Sequence, residues 1–343
     1  MTKMKRFIVC AIVLILSSGN MPFSVDSMVG DLAWTQVTED SIRSVDWAPD
    51  GMTLVVGNRD GIVTVDANTY EIEERIDIGR TSGRGYIVSW SPEGNWVVAI
   101  DPTSYVYVVS AEANKFEPVF YAGDNLTSVL QWGPNSNQFA IFDSEGHLNI
   151  IEVPSGEVLE VIDVQSLVPN LRFNHFAWSS NGQYFAIPSE TASAIEFLDA
   201  NGALVNSVIE SSPYNEHMCP LFDAPVQGVI GAMEWSPSSQ QLAIGSTRLG
   251  LCSLNLDGTI SSRGLDEEGA TSLAWDPTSS VLAIGNGPTG DCWIRLIDFS
   301  FSDLPVIDPI GPDRCSVYDI AWSPDGERIA IATSEGLWIK QLE

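Results

Sequence analysis

The sequence predicts an all-β fold of seven repeated four-stranded antiparallel sheets, and three observations predict it. Seven tryptophans, Trp47, Trp90, Trp132, Trp178, Trp235, Trp275 and Trp322, recur at intervals of roughly 40 to 57 residues, the mark of a repeat architecture. Proline stands two positions after the tryptophan in six copies (Pro49, Pro92, Pro134, Pro237, Pro277, Pro324), with Ser180 in the remaining one. A turn pair such as Asp50-Gly51 or Asp325-Gly326 comes next. Each copy then carries an apolar triplet, as in Leu54-Val55-Val56, Phe139-Ala140-Ile141 and Ile329-Ala330-Ile331. Short apolar and β-branched runs separated by Gly, Pro, Asn and Asp are strands joined by tight turns.

Within a copy, the run ending on the tryptophan is the first strand and the triplet the core of the second. A second turn, as in Asn58 to Gly61, Asp143 to Gly146 and Ser334 to Gly336, leads to a third strand that ends on an acid at Asp66, Glu152, Asp199, Asp298 and Glu343. A weaker fourth strand follows, for example Glu71 to Ile78 or Ala203 to Ile209. Four strands in a repeat of this length make one blade of a β-propeller. The last copy holds only three strands, whereas Leu32 to Val37 alternates like a strand and has no blade of its own. The expectation is that residues 32 to 38 hydrogen-bond with 337 to 342, complete blade seven and close the ring, which removes an exposed sheet edge.

The segment Ala321-Trp322-Ser323-Pro324-Asp325-Gly326, with Ile329-Ala330-Ile331 after it, resembles WD40 and related propeller repeats and is similar to repeats of periplasmic propellers of the TolB type. The resemblance runs from residue 32 to 343. It implies a seven-bladed ring that presents loops to binding partners.

At the N-terminus, basic Lys3, Lys5 and Arg6 precede the apolar run Phe7 to Leu16 and the small residues Ser17-Ser18-Gly19. This predicts a signal peptide over residues 1–24, followed by a single propeller domain over 25–343 in a secreted or periplasmic protein. The apolar run is shorter than the ~20 residues a spanning helix needs, so no membrane span is expected. The chain carries 45 acidic against 16 basic residues, a net charge of −29. So acidic a surface repels phosphate backbones, which excludes nucleic acid as an expected partner, and it keeps an exported monomer soluble.

In an oxidising compartment the four cysteines beyond the signal, Cys219, Cys252, Cys292 and Cys315, read as two disulfides. Cys252 and Cys292 fall near the ends of third strands, and Cys219 and Cys315 in connections between blades on that same face. This favours Cys219 with Cys252 and Cys292 with Cys315, because equivalent outer strands of neighbouring blades stand too far apart to be bridged. The scattered His147, His175 and His217 and the absence of a Cys-x-x-Cys spacing give no expected metal, and no cofactor is expected.

Two features point to partner contact. The longest interval, between Trp178 and Trp235, holds an insertion with Tyr214, His217 and Phe222, and long loops on rigid scaffolds often carry binding. Arg80 and Arg84 place two of the few cations beside Gly83 and Gly85 on the connecting face. No nucleophile elbow, phosphate loop or dinucleotide fingerprint occurs, so the expected function is a protein-interaction scaffold and not an enzyme. A small-ligand or glycan binder, or a glycosidase using two of the many carboxylates, is the alternative.

Overall fold

The computed structural model describes residues 34–76, 85–111, 116–124, 129–168, 175–189, 194–209, 230–246, 250–264, 269–278, 280–286, 293–299 and 315–342. They form seven antiparallel sheets. Blade one is β2 (Ile42–Trp47), β3 (Thr53–Asn58), β4 (Ile62–Asp66) and β5 (Ile72–Ile76). Blade two is β6 (Ile87–Trp90), β7 (Trp96–Ile100), β8 (Tyr105–Ser110) and β9 (Phe116–Tyr121). Blade three is β10 (Leu130–Trp132), β11 (Gln138–Phe142), β12 (His147–Glu152) and β13 (Val158–Asp163), with the single turn α1 (Val164–Leu167) after it. Blade four is β14 (Ala177–Trp178), β15 (Tyr184–Ser189), β16 (Ala194–Asp199) and β17 (Leu204–Ile209). Blade five is β18 (Ile230–Trp235), β19 (Gln241–Ser246), β20 (Gly250–Asn255) and β21 (Ile260–Gly264). Blade six is β22 (Ser272–Trp275), β23 (Val281–Gly285) and β24 (Ile294–Asp298). The stretch 300–314, where its fourth strand is expected, lies outside the described residues. Blade seven is β25 (Val317–Trp322), β26 (Arg328–Thr333), β27 (Gly336–Gln341) and, from the other end of the chain, β1 (Thr35–Gln36).

The ring therefore closes as the strand count requires. Thr35 pairs with Ile339 and Gln36 with Trp338, and the Val37 N–H donates to the Leu337 carbonyl at 2.8 Å. The Leu337 N–H in turn donates to Thr38 Oγ1 at 3.1 Å. Arg328 of β26 fastens the same seam to blade one. Its guanidinium donates to the carbonyls of Ala67 (2.6 Å) and Gly51 (3.1 Å) and lies 4.5 Å from the centre of the Trp47 ring.

The repeated turn explains its residues. In the first copy the Gly51 N–H donates to the Ala48 carbonyl and the Ala48 N–H to Thr53, with Pro49 and Asp50 between and Gly51 at φ +70°. Proline presets the first turn position, and glycine accepts the left-handed backbone that follows it. Gly94, Gly182 and Gly326 occupy the same place at φ +72° to +76°.

A ring of sheets has no common centre to bury. Among the described residues the core is divided into seven apolar clusters, and each joins two neighbouring blades. One combines Val55 and Ile62 of blade one with Val88 and Val97 of blade two. The last combines Ile42 and Trp47 of blade one with Ala321 and Ile339 of blade seven. The remaining five fill the seams between. The repeated tryptophans sit in these seams. Trp47, Trp132, Trp235, Trp275 and Trp322 donate their indole N–H groups to the carbonyls of Ala321, Ser89, Ala177, Glu234 and Ala274, at 2.9 to 3.3 Å. Every acceptor is the residue just before the preceding blade's own tryptophan. Trp90 and Trp178 make no such bond; the Trp178 ring stacks against Phe185 at 4.8 Å.

Replacing Arg328 with Met keeps the apolar stem and removes both carbonyl bonds and the cation over Trp47. The expected loss is about 1–3 kcal/mol, read as a lower urea midpoint with an unchanged slope.

Candidate functional site

The inner strands of six blades, with His175 and Phe176 just before β14 of blade four, line a central channel with a cavity volume of about 690 Å³. Its wall carries three carboxylates, Asp46 on β2, Glu234 on β18 and Asp319 on β25, together with Arg43 and His175. The carboxylates point inward because the inner strands alternate, sending Val45, Trp47, Met233 and Trp235 into the seams and the acid between them toward the channel.

Two of the three are engaged across a blade boundary. Asp319 Oδ2 accepts from Ser44 Oγ at 2.7 Å and from the Val45 N–H at 3.2 Å, both on blade one, and its Oδ1 accepts from the Ile320 N–H. Asp46 of blade one repeats the arrangement toward blade two. Its Oδ2 accepts from Ser89 Oγ (3.0 Å) and the Trp90 N–H (2.8 Å), while Oδ1 takes the Trp47 N–H. Ser44 Oγ also accepts from the Val88 N–H at 3.3 Å, so blades seven, one and two are joined by one polar chain. Glu234 faces blade six, where the Trp275 backbone lowers its pKa, but its Oε2 is shut off from solvent and has no hydrogen-bond partner.

Withdrawal from water raises the pKa of all three. Burial among the inner strands pushes Asp46 up to about 7, with the Asp319 charge adding to the rise and the bonds from Trp90, Ser89 and Trp47 opposing it. Burial, reinforced by the charges of Asp319 and Asp46, pushes Glu234 up to about 8. Asp319 is also raised by burial, against the pull of Ser44, Val45, Ile320 and Arg43. Among the described residues no group of three His, Cys, Asp or Glu is arranged to hold a metal ion.

Every residue proposed from sequence for partner contact, Arg80, Arg84, Tyr214, His217 and Phe222, lies outside the described residues, as do Cys219, Cys292 and the signal segment. Cys252 is buried at the centre of β20, paired with Ile244, and Cys315 is buried just before β25. Neither is a free thiol. The three channel carboxylates were not singled out from sequence. The available signal was an acid directly before the repeated tryptophan, in Asp46-Trp47 and Glu234-Trp235, where the other copies have Ser, Gln or Ala.

A carboxyl whose pKa is higher folded than unfolded stabilises the fold below its unfolded value, and that stability is lost as pH rises through the folded value. Stability should therefore fall between about pH 4 and pH 8 as Asp46 and Glu234 ionise, by on the order of a few kcal/mol for each. The Asp46→Asn, Glu234→Gln double variant should flatten that slope, as measured by urea unfolding across the range. An unchanged slope would show that these groups titrate normally.

Comparison with known proteins bears on the fold. Residues 32–65 match the family described as WD domain, G-beta repeat. No curated protein matches the chain. Among solved structures, the chain is similar to the β-propeller domain of Cps50 (Swd1) from Myceliophteria thermophila, at 13% identity and a TM-score of 0.71, covering 90% of this chain and 100% of that one. It is similar also to a chain of a Mitotic Checkpoint Complex, at 16% identity and a TM-score of 0.68, covering 98% and 99%. The matched stretch takes in β1 of blade seven with β2, β3 and β4 of blade one, so the sequence repeat is offset from the blade by one strand. The chain is a seven-bladed β-propeller, and the stretch that matches the WD repeat straddles the seam that closes its ring.

Proposed function

We propose that this propeller is an exported, monomeric protein-interaction scaffold, not an enzyme, and that it engages its partner through the connections on one face. The observation that carries the reading is how the inner wall is used. Asp46 and Asp319, which a catalytic pair would need free, are spent on tying blades together. What differs between copies is the connections, above all the insertion around 211–226, which bears Tyr214, His217 and Phe222. Rigid frames with variable loops are suited to recognition. One of the similar folds belongs to a multiprotein assembly, which favours the same reading. Disulfides from Cys219 to Cys252 and from Cys292 to Cys315 would pin two of these connections to the frame.

A second reading, a small polar ligand or glycan in the channel, draws on Glu234, the one channel acid with a partnerless oxygen. It is the weaker one, because that oxygen is closed off from the cavity's solvent.

The expected result of Arg80→Glu with Arg84→Glu is loss of a partner that the wild-type protein retains when it is used as bait on its own envelope and culture fluid. Retention by both proteins would remove these arginines from the contact. Non-reducing peptide mapping should recover Cys219 linked to Cys252 and Cys292 to Cys315; a Cys252 to Cys292 link would contradict the assigned pairing.

A further inference from the structure

The outermost strand of a blade has one edge with no partner in its own sheet, and such edges are commonly guarded by charge or proline against pairing with other chains. Two of the described outer strands follow that practice. On β5, Glu73 and Arg75 stand exposed, and β9 contains Pro118. On β13 the pattern is different. Val158, Leu159 and Val161 are 39%, 51% and 55% exposed, and only Ile162 turns into the seam with blade four.

Blade four also exposes apolar residues, and its turn packs on the end of β13. Gly202, in the turn before β17, packs so closely on Ile162 that a Cβ there would come within 2.6 Å of its side chain. Leu204 and Val205, 55% and 50% exposed, follow at the start of β17. Large exposed apolar residues along an open strand edge suit recognition by their physical character.

Charge selects what it fits. Residues 152–168 and 199–209 contain Glu152, Glu157, Glu160, Asp163 and Asp199 and no Lys or Arg. Glu157, Glu160 and Asp163 are exposed beside the apolar residues, and hydrogen bonds from Ser166 hold the Asp163 carboxyl below its usual pKa. A second copy of a chain with net charge −29 would be repelled here. We propose that the rim of blades three and four binds an extended segment of a partner protein in which Lys or Arg alternates with apolar residues, and that this segment adds to β13 as a fifth strand. The proposal rests on the scaffold reading and gives it a second contact surface.

The test uses the full oxidised protein and a short capped peptide alternating lysine and valine, with a glutamate-for-lysine peptide as control. The lysine peptide should bind and the glutamate peptide should not, and amide exchange should slow in 158–163. Leu159→Glu with Val161→Glu should weaken binding about tenfold, and Glu160→Lys, which keeps the apolar residues, should weaken it as well. All three positions are exposed, so thermal stability should be unchanged. Equal binding by these variants, or slowed exchange that spares β13, overturns the proposal. That outcome leaves the scaffold reading to be judged on the Arg80 and Arg84 capture alone.

Discussion

Each first-strand tryptophan that donates its indole N–H does so to one place on the preceding blade, the carbonyl of the residue before that blade's tryptophan. In these five the large ring fills the seam while its single polar atom finds a backbone acceptor, which satisfies a buried donor. Because donor and acceptor sit at equivalent repeat positions, the link propagates from blade to blade without special residues. It fixes the inner strands at a common height, and the channel follows from that. A closed ring also leaves no blade with an unsupported face, so the core can be shared out as seven seams.

The polar wall extends the same logic at a cost. Asp319 and Asp46 hold blades seven, one and two together through hydroxyl and backbone donors, and in doing so they are withdrawn from water. Burial raises Glu234 most, and the charges of Asp319 and Asp46 add to the rise. Hydrogen bonds to a carboxylate favour its charged form, and desolvation outweighs them here. Arg328 adds to the seam between the last blade and the first, through the Ala67 carbonyl and the Trp47 ring.

The architecture was legible because it is repeated. Any one Trp-x-Pro or Leu-Ala-Ile segment is weak evidence, but seven in register fix blades, turns and strand order, and counting strands assigned β1 to blade seven. The channel carboxylates were not legible for the opposite reason. Asp46 and Glu234 are two of 45 acids, and their position becomes special only once the ring sets them facing one another. The rim was readable in principle, since Val-Leu-Glu-Val-Ile-Asp on β13 places apolar residues on both faces where Ile-Glu-Glu-Arg-Ile on β5 does not. A weakly patterned fourth strand drew no notice without its exposure. The contact loops carrying Arg80, Arg84 and Tyr214 fall outside the described residues, so their role stays a proposal.

Native-state hydrogen exchange tests the central claim most directly, that the blades form one closed ring. Amides of the inner strands β2, β6, β18 and β25, and those joining β1 to β27, should exchange only through the global opening and share one free energy that falls together as denaturant is added. A lower opening free energy confined to blade seven and β1 would contradict it, since the ring would then be a row of blades with a loose end.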